Sequence, residues 1–148
     1  NSLVNCGTVM RTSQAAAFGF PNPLIGIVAY AIILTIATAM LAGARLARWY
    51  WWCVQIGVTL GFVFICWLWY QTTFRIDALC LYCMIVWIMQ TTLFVHVTVH
   101  NMRTGVIPVP RRVASAMTGW AWFLTVMILL VLFGIIFIRF FSVITGMF

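Results

Sequence analysis

Two cysteines, Cys80 and Cys83, lie where a polar segment of the chain gives way to an almost purely apolar one. The segment reads RIDALCLYCMIVW over residues 75–87, so a Cys-x-x-Cys pair stands at the start of a bilayer-spanning helix. Two thiols at this spacing can cycle between a dithiol and a disulfide in a two-electron reaction. We expect the outer sulfur, Cys80, to exchange with an aqueous partner. The inner sulfur, Cys83, would pass electrons to a lipid-soluble acceptor, for which a quinone is the obvious candidate.

The helix that carries the pair is predicted to begin near Asp77, the only acidic residue of the chain. Its carboxylate would accept a backbone N–H of the first turn as an N-cap. This start would place Cys80 in the first turn, where the helix dipole favours a thiolate, and Cys83 one turn deeper. A catalytic role for Asp77 is the less favoured alternative.

Two other uses of these thiols are weaker predictions. A static disulfide between Cys80 and Cys83 would close so short a loop that it would remove little entropy from the unfolded chain. A zinc ion would need two more ligands, and Cys6 is the only other plausible one on that side, so no metal is predicted. His96 and His100 are spaced for one helix face, but they lie at the far end of the span and lack a third ligand.

The composition is that of an integral membrane protein, since 66% of the 148 residues are hydrophobic and 6% are charged. A helix needs about 20 apolar residues to cross a bilayer. Four stretches meet this length, and we expect an all-α transmembrane helix bundle that forms one domain over residues 1–148. The predicted helices cover residues 24–42, 50–70, 79–99 and 119–138, with a loop over residues 1–23 and another over residues 100–118.

The arginines predict the topology of the bundle. Arg45 and Arg48 follow the first span, and Arg103, Arg111 and Arg112 follow the third. The positive-inside rule then places these two loops in the cytoplasm, and the segment with Cys6 and the loop before Cys80 on the extracytoplasmic side of an inner or plasma membrane. The arginines are scattered singly rather than gathered in a basic patch, which argues against nucleic acid as a partner.

Cys53 and Cys66 lie inside the second predicted span, where we expect small buried hydrophobic residues. Cys53, Gly57 and Gly61 are spaced by four residues. This spacing is typical of a face of small residues against which another helix packs closely.

Three separated motifs resemble the vitamin K epoxide reductase family, in particular its bacterial members. They are NCGTVM over residues 5–10, FGFPNPLIG over residues 18–26 and LCLYC over residues 79–83. The resemblance runs from residue 5 to about residue 100, and the last helix matches less specifically. It implies four helices around a quinone pocket with a fifth alongside, so that the four spans here match the second to fifth of the family. It also implies a relay that oxidises thioredoxin-fold partner proteins and reduces menaquinone, ubiquinone or vitamin K.

The resemblance assigns roles to individual residues. Cys83 would contact the quinone, Cys80 would exchange with the loop, and Cys6 would match the second of two loop cysteines. Asn22 would donate a hydrogen bond to a quinone carbonyl, on which negative charge develops during reduction. From its sequence context alone, between Pro21 and Pro23, Asn22 could equally be a turn or capping residue.

The chain departs from the family pattern in two respects. Residues 1–5 lack the other loop cysteine and no first span precedes them, so we expect the given chain to begin within the first extracytoplasmic loop. Trp87 occupies the position where vertebrate members have a tyrosine, and it could pack against the quinone ring instead of donating to it.

Two rival functions stay open at this point. One is the other bacterial class of membrane thiol oxidase, which carries its redox Cys-x-x-Cys in a loop. The other is a non-enzymatic membrane subunit whose thiols join the N-terminal loop to the third helix.

Overall fold

The structure, a computed structural model, describes residues 21–76 and 79–145 together with Ala16 and Gly19. Within these residues the chain forms four helices, each long and apolar enough to cross a membrane, which confirms the expected all-α bundle. They are α1 (Asn22–Leu41), α2 (Arg48–Gln71), α3 (Leu81–Arg103) and α4 (Arg111–Thr145), and a π-helical turn, Thr72–Ile76, continues α2.

The connection between α3 and α4 is shorter than the predicted loop over residues 100–118, because α3 continues to Arg103 and α4 already begins at Arg111. Pro110 ends the connection, and its carbonyl accepts the N–H groups of Val113 at 2.9 Å and Ala114 at 3.1 Å. A proline is well tolerated at a helix start because it lacks only a donor that would be unpaired there. The hydropathy of the chain marks the part of a helix inside the bilayer, and both helices extend beyond it.

Helix α3 packs between α2 and α4 and runs antiparallel to both. Phe62 of α2 stacks on Phe94 of α3 with ring centroids 4.5 Å apart. The rings of Trp87 and Phe133, near one end of the α3–α4 contact, are 6.4 Å apart. An apolar cluster of Ile65, Leu79, Trp87, Ile136 and Phe140 fills the bundle at the end where α3 begins.

The two arginine-rich connections lie at the same end of the bundle. The Arg48 guanidinium at the start of α2 donates to the backbone carbonyl of Val106, between α3 and α4, at 3.3 Å. We call this the basic end, and we call the opposite end, where Cys80 and Cys83 lie, the cysteine end. The positive-inside rule predicts that these two loops lie on the same side of the membrane, and their position at one end of the bundle agrees with this prediction.

A polar network joins α2 and α3 near the basic end. Asn101, which has no exposed surface, donates through Nδ2 to Gln55 Oε1 at 2.9 Å and to the carbonyl of Trp51 at 3.4 Å. Gln55 in turn donates to Thr98 Oγ1 at 3.0 Å. Polar side chains are costly inside a membrane unless they are paired, so this network favours one register of α3 against α2.

The predicted face of small residues on α2 is only partly present. Gly61 is approached closely by the Gln90 side chain, whereas a Cβ added at Gly57 would meet no atom within 4 Å. Cys53 is exposed rather than buried, which overturns the expectation for this residue, and Cys66 is half-buried. The face turns outward at Gly57 because α2 presents Gln55 and Val58 to the bundle instead.

Candidate functional site

The Cys-x-x-Cys pair lies where the chain enters α3, but the helix begins later than predicted. Cys80 has extended backbone angles, φ −116° and ψ 122°, and it is the residue immediately before the first helical residue, Leu81. Its carbonyl accepts the N–H of Met84 at 3.1 Å. The prediction that Cys80 lies in the first turn behind an Asp77 cap is therefore wrong. Asp77 itself lies outside the described residues.

This start places Cys83, not Cys80, inside the first turn of α3. The unpaired N–H groups and the positive end of the helix dipole lie within this turn. They favour the thiolate form of a cysteine, which is the form that acts as nucleophile or electron donor. The helix start that we expected beside the outer thiol thus lies at the inner one.

The two sulfurs differ in exposure, and not in the predicted direction. Cys80 is 0% exposed, whereas Cys83 is half-buried. The expectation that Cys80 faces water is therefore wrong. A thiol of another protein cannot reach a sulfur without exposed surface. Exchange at Cys80 therefore has to be intramolecular or follow a local opening.

Cys83 packs against the apolar cluster at the cysteine end. Trp87, one turn further along α3, is 1% exposed and belongs to that cluster, with its ring in edge contact with Phe133 of α4. The inner sulfur therefore borders a region of low polarity, which suits an apolar reaction partner better than water.

An apolar cavity of about 360 Å³ lies beside this cluster. Leu79, the residue before Cys80, belongs to its lining, and the remaining lining comes from α4: Phe133, Ile136, Phe137, Phe140 and Phe141. This cavity is an open apolar groove, since Phe137 and Phe141 are exposed over more than half of their surface, and neither Cys80 nor Cys83 lines it.

Asn22 is the first residue of α1, after Pro21 and before Pro23. Helix geometry gives its depth in the bundle. The Tyr30 hydroxyl of α1 donates to Gln90 Oε1 of α3 at 3.0 Å, so these two residues lie at the same level. With a rise of about 1.5 Å per residue, Asn22 lies about 12 Å above that level, and Cys83 lies about 10 Å above it. Asn22 and Cys83 therefore lie at the same end of the bundle and at nearly the same depth.

Other residues singled out from the sequence take separate places. Cys6 lies outside the described residues. His96 faces α4, with its ring 4.6 Å from that of Trp122, and His100 faces α2, with its ring 4.3 Å from that of Trp51. Among the described residues, no group of three or more His, Cys, Asp or Glu side chains could hold a metal ion.

Sequence reasoning missed Tyr30 and Gln90. Gln90 is 7% exposed and is hydrogen-bonded to both neighbouring helices, to Tyr30 of α1 and to the Val58 carbonyl of α2. A signal was available, because a glutamine in the middle of a membrane span is costly unless it has a partner.

A membrane helix bundle with a Cys-x-x-Cys pair at a helix start is typical of membrane proteins that carry out thiol–disulfide exchange. The model of the vitamin K epoxide reductase family matches residues 1–98, a range that contains Cys6, Asn22, Cys80 and Cys83. The chain belongs to this family, and the resemblance inferred from the three motifs is confirmed. No curated protein and no solved structure matches the chain significantly.

Membership of this family makes the protein a multi-pass membrane oxidoreductase of the thiol–disulfide type, in a family that is linked to quinones in general. The match ends within α3, so α4 lies outside it. This agrees with the less specific resemblance of the last helix.

Proposed function

We propose that the protein oxidises its own Cys80–Cys83 dithiol with a quinone and passes the resulting disulfide to extracytoplasmic proteins. The observation that carries the proposal is the position of Cys83, in the first turn of α3 and against an apolar cluster. Cys83 therefore lies at the positive end of the helix dipole, and it borders an apolar environment that suits a quinone ring.

The reaction balances within the pair. The Cys83 sulfur, as thiolate, gives up electrons, and the Cys80 sulfur closes the disulfide, so that two electrons and two protons leave the dithiol. The quinone takes up both and becomes a hydroquinone. Asn22, at nearly the depth of Cys83, would donate its amide N–H to the carbonyl oxygen on which charge develops. Trp87 would form part of the apolar wall beneath the ring.

The second half of the cycle regenerates the dithiol. Because Cys80 has no exposed surface, we propose that a loop thiol, Cys6, attacks the Cys80–Cys83 disulfide, forms a Cys6–Cys80 disulfide and releases Cys83 as a thiolate. The two thiols of a thioredoxin-fold protein would then reduce the Cys6–Cys80 disulfide in two exchange steps, so that the partner leaves with the disulfide and the Cys80 and Cys83 thiols are restored. In this arrangement the basic end faces the cytoplasm, in accord with the positive-inside rule, and the cysteine end faces the extracytoplasmic side.

A single-turnover experiment tests the quinone reaction. The purified full chain in mixed micelles is reduced, freed of reductant and mixed with menadione, a short naphthoquinone. We expect two thiols to disappear for each hydroquinone formed, and we expect Cys83→Ala to abolish this loss. Cys66→Ala is the matched control, because Cys66 is a half-buried thiol of α2 and should leave the reaction unchanged. Unchanged hydroquinone formation in Cys83→Ala would overturn the proposal.

A further inference from the structure

The side-chain amide of Gln90 contacts α2 at two residues, Val58 and Gly61. Its Nε2 donates to the carbonyl of Val58 at 2.9 Å. The same nitrogen occupies the space over Gly61, where an added Cβ would lie 2.7 Å from Nε2 and 3.2 Å from Cδ. Real Cβ atoms do not approach this closely, so the glycine is what allows the amide to lie against α2.

With the Nε2 of Gln90 turned toward α2, its Oε1 accepts the hydroxyl of Tyr30 from α1 at 3.0 Å. One buried amide thus joins three helices. An unpaired amide oxygen is costly in the apolar interior of a membrane bundle. This cost favours the arrangement in which the Tyr30 hydroxyl remains hydrogen-bonded to Gln90 Oε1.

This bond matters for α1 because the rest of that helix is weakly embedded. Ile36 is its one buried residue, and long side chains such as Ile27 and Leu34 are exposed over more than 60% of their surface. A helix with so little interior contact depends on its polar contacts for its position. Asn22 is rigidly connected to Tyr30 through two turns of the same helix.

We propose that Tyr30 and Gln90, with the space left by Gly61, are positioning residues that set the place of Asn22 relative to Cys83. The inference rests on the proposed quinone reaction, in which Asn22 receives the quinone carbonyl. Loss of the Tyr30–Gln90 bond would let α1 move. Quinone would then bind less well, while the chemistry of the cysteine pair itself would be retained.

The experiment compares Tyr30→Phe and Gly61→Ala with the control Gly57→Ala. Gly57 lies one turn before Gly61 on the same helix, and the same substitution there meets no atom within 4 Å. In the single-turnover assay with menadione, we expect Tyr30→Phe and Gly61→Ala to raise the concentration for half-maximal rate about three- to tenfold, with little change in the maximal rate. The rate at which dithiothreitol reduces the oxidised pair should stay the same.

The double variant decides whether both changes act on one bond. Tyr30→Phe/Gly61→Ala should resemble either single variant, since each removes the same hydrogen bond. An unchanged half-maximal concentration in Tyr30→Phe, or an equal shift in Gly57→Ala, would overturn the proposal. Stability of the four variants toward dodecyl sulfate is measured in parallel. If the stability losses of Tyr30→Phe and Gly61→Ala add up in the double variant, the two changes do not act on one bond, and the proposal is refuted. A wild-type chain that fails to reduce menadione would count against the proposed function, and the stability comparison would still test the bond.

Discussion

Replacing Asn101 with alanine should destabilise the bundle although this residue lies at the opposite end from Cys80 and Cys83. The substitution removes the donor to Gln55 Oε1 and to the Trp51 carbonyl, and it leaves the Gln55 oxygen buried without that partner. Interhelical hydrogen bonds in membrane proteins contribute about 0.6 kcal/mol on average and at most about 1.7 kcal/mol. A stranded buried acceptor adds about 1–3 kcal/mol. Because the substitution also removes the buried Oδ1 of Asn101, which has no partner among the described residues, part of this cost is offset, and we expect a loss of about 1.5–3 kcal/mol in the free energy of unfolding.

The assay is equilibrium unfolding in mixed micelles with increasing dodecyl sulfate, followed by the fluorescence of the eight tryptophans. Thr92→Ala is the control, because the Thr92 hydroxyl donates to the Ile88 carbonyl of its own helix. The double variant Gln55→Ala/Asn101→Ala removes both partners of the Gln55–Asn101 bond, so its loss should be smaller than the sum of the losses in Gln55→Ala and Asn101→Ala. Strict additivity, or a loss in Asn101→Ala no larger than in Thr92→Ala, would refute the reasoning.

Two further predictions concern the cysteine end. Trp87→Ala should lower the free energy of unfolding by about 3–5 kcal/mol in the same assay, because it removes the largest buried side chain of the apolar cluster. Tyr82→Ala, a change at an exposed position, should cost about 0.5 kcal/mol or less, and equal losses would contradict the assigned packing. Cys6→Ala should retain the single-turnover reaction with menadione but lose repeated turnover with a reduced thioredoxin-fold protein as electron donor. Undiminished turnover would show that Cys80 exchanges with the partner directly.

The sequence predicts the helical class and the spans well because both depend on local composition. Long apolar runs in lipid have to form helices, since every backbone group must be paired within the segment. The same signal misplaces the start of α4, because residues from Arg111 to Ser115 are helical outside the apolar run. Hydropathy reports contact with lipid, and a helix that continues into the interface gives no such signal.

Features that depend on contacts between distant residues could not be predicted in this way. Tyr30 and Gln90 are 60 positions apart, and the type of either residue does not indicate that the other is its hydrogen-bond partner. The burial of Cys80 likewise depends on where α3 begins and on what packs around the residue before it, neither of which the residue type specifies. Asp77 is a good capping residue by its chemistry, but the helix begins four positions after it.

The buried position of Cys80 also bears on damage by oxidants. Conversion of a thiol to sulfinic or sulfonic acid follows its exposure and thiolate character, and it removes the residue from any further cycle. A sulfur with no exposed surface is shielded from dissolved peroxide and from the small thiols of the surrounding medium. The fold thus shields Cys80 from oxidants in solution, whereas Cys83, which is only half-buried, lacks this protection.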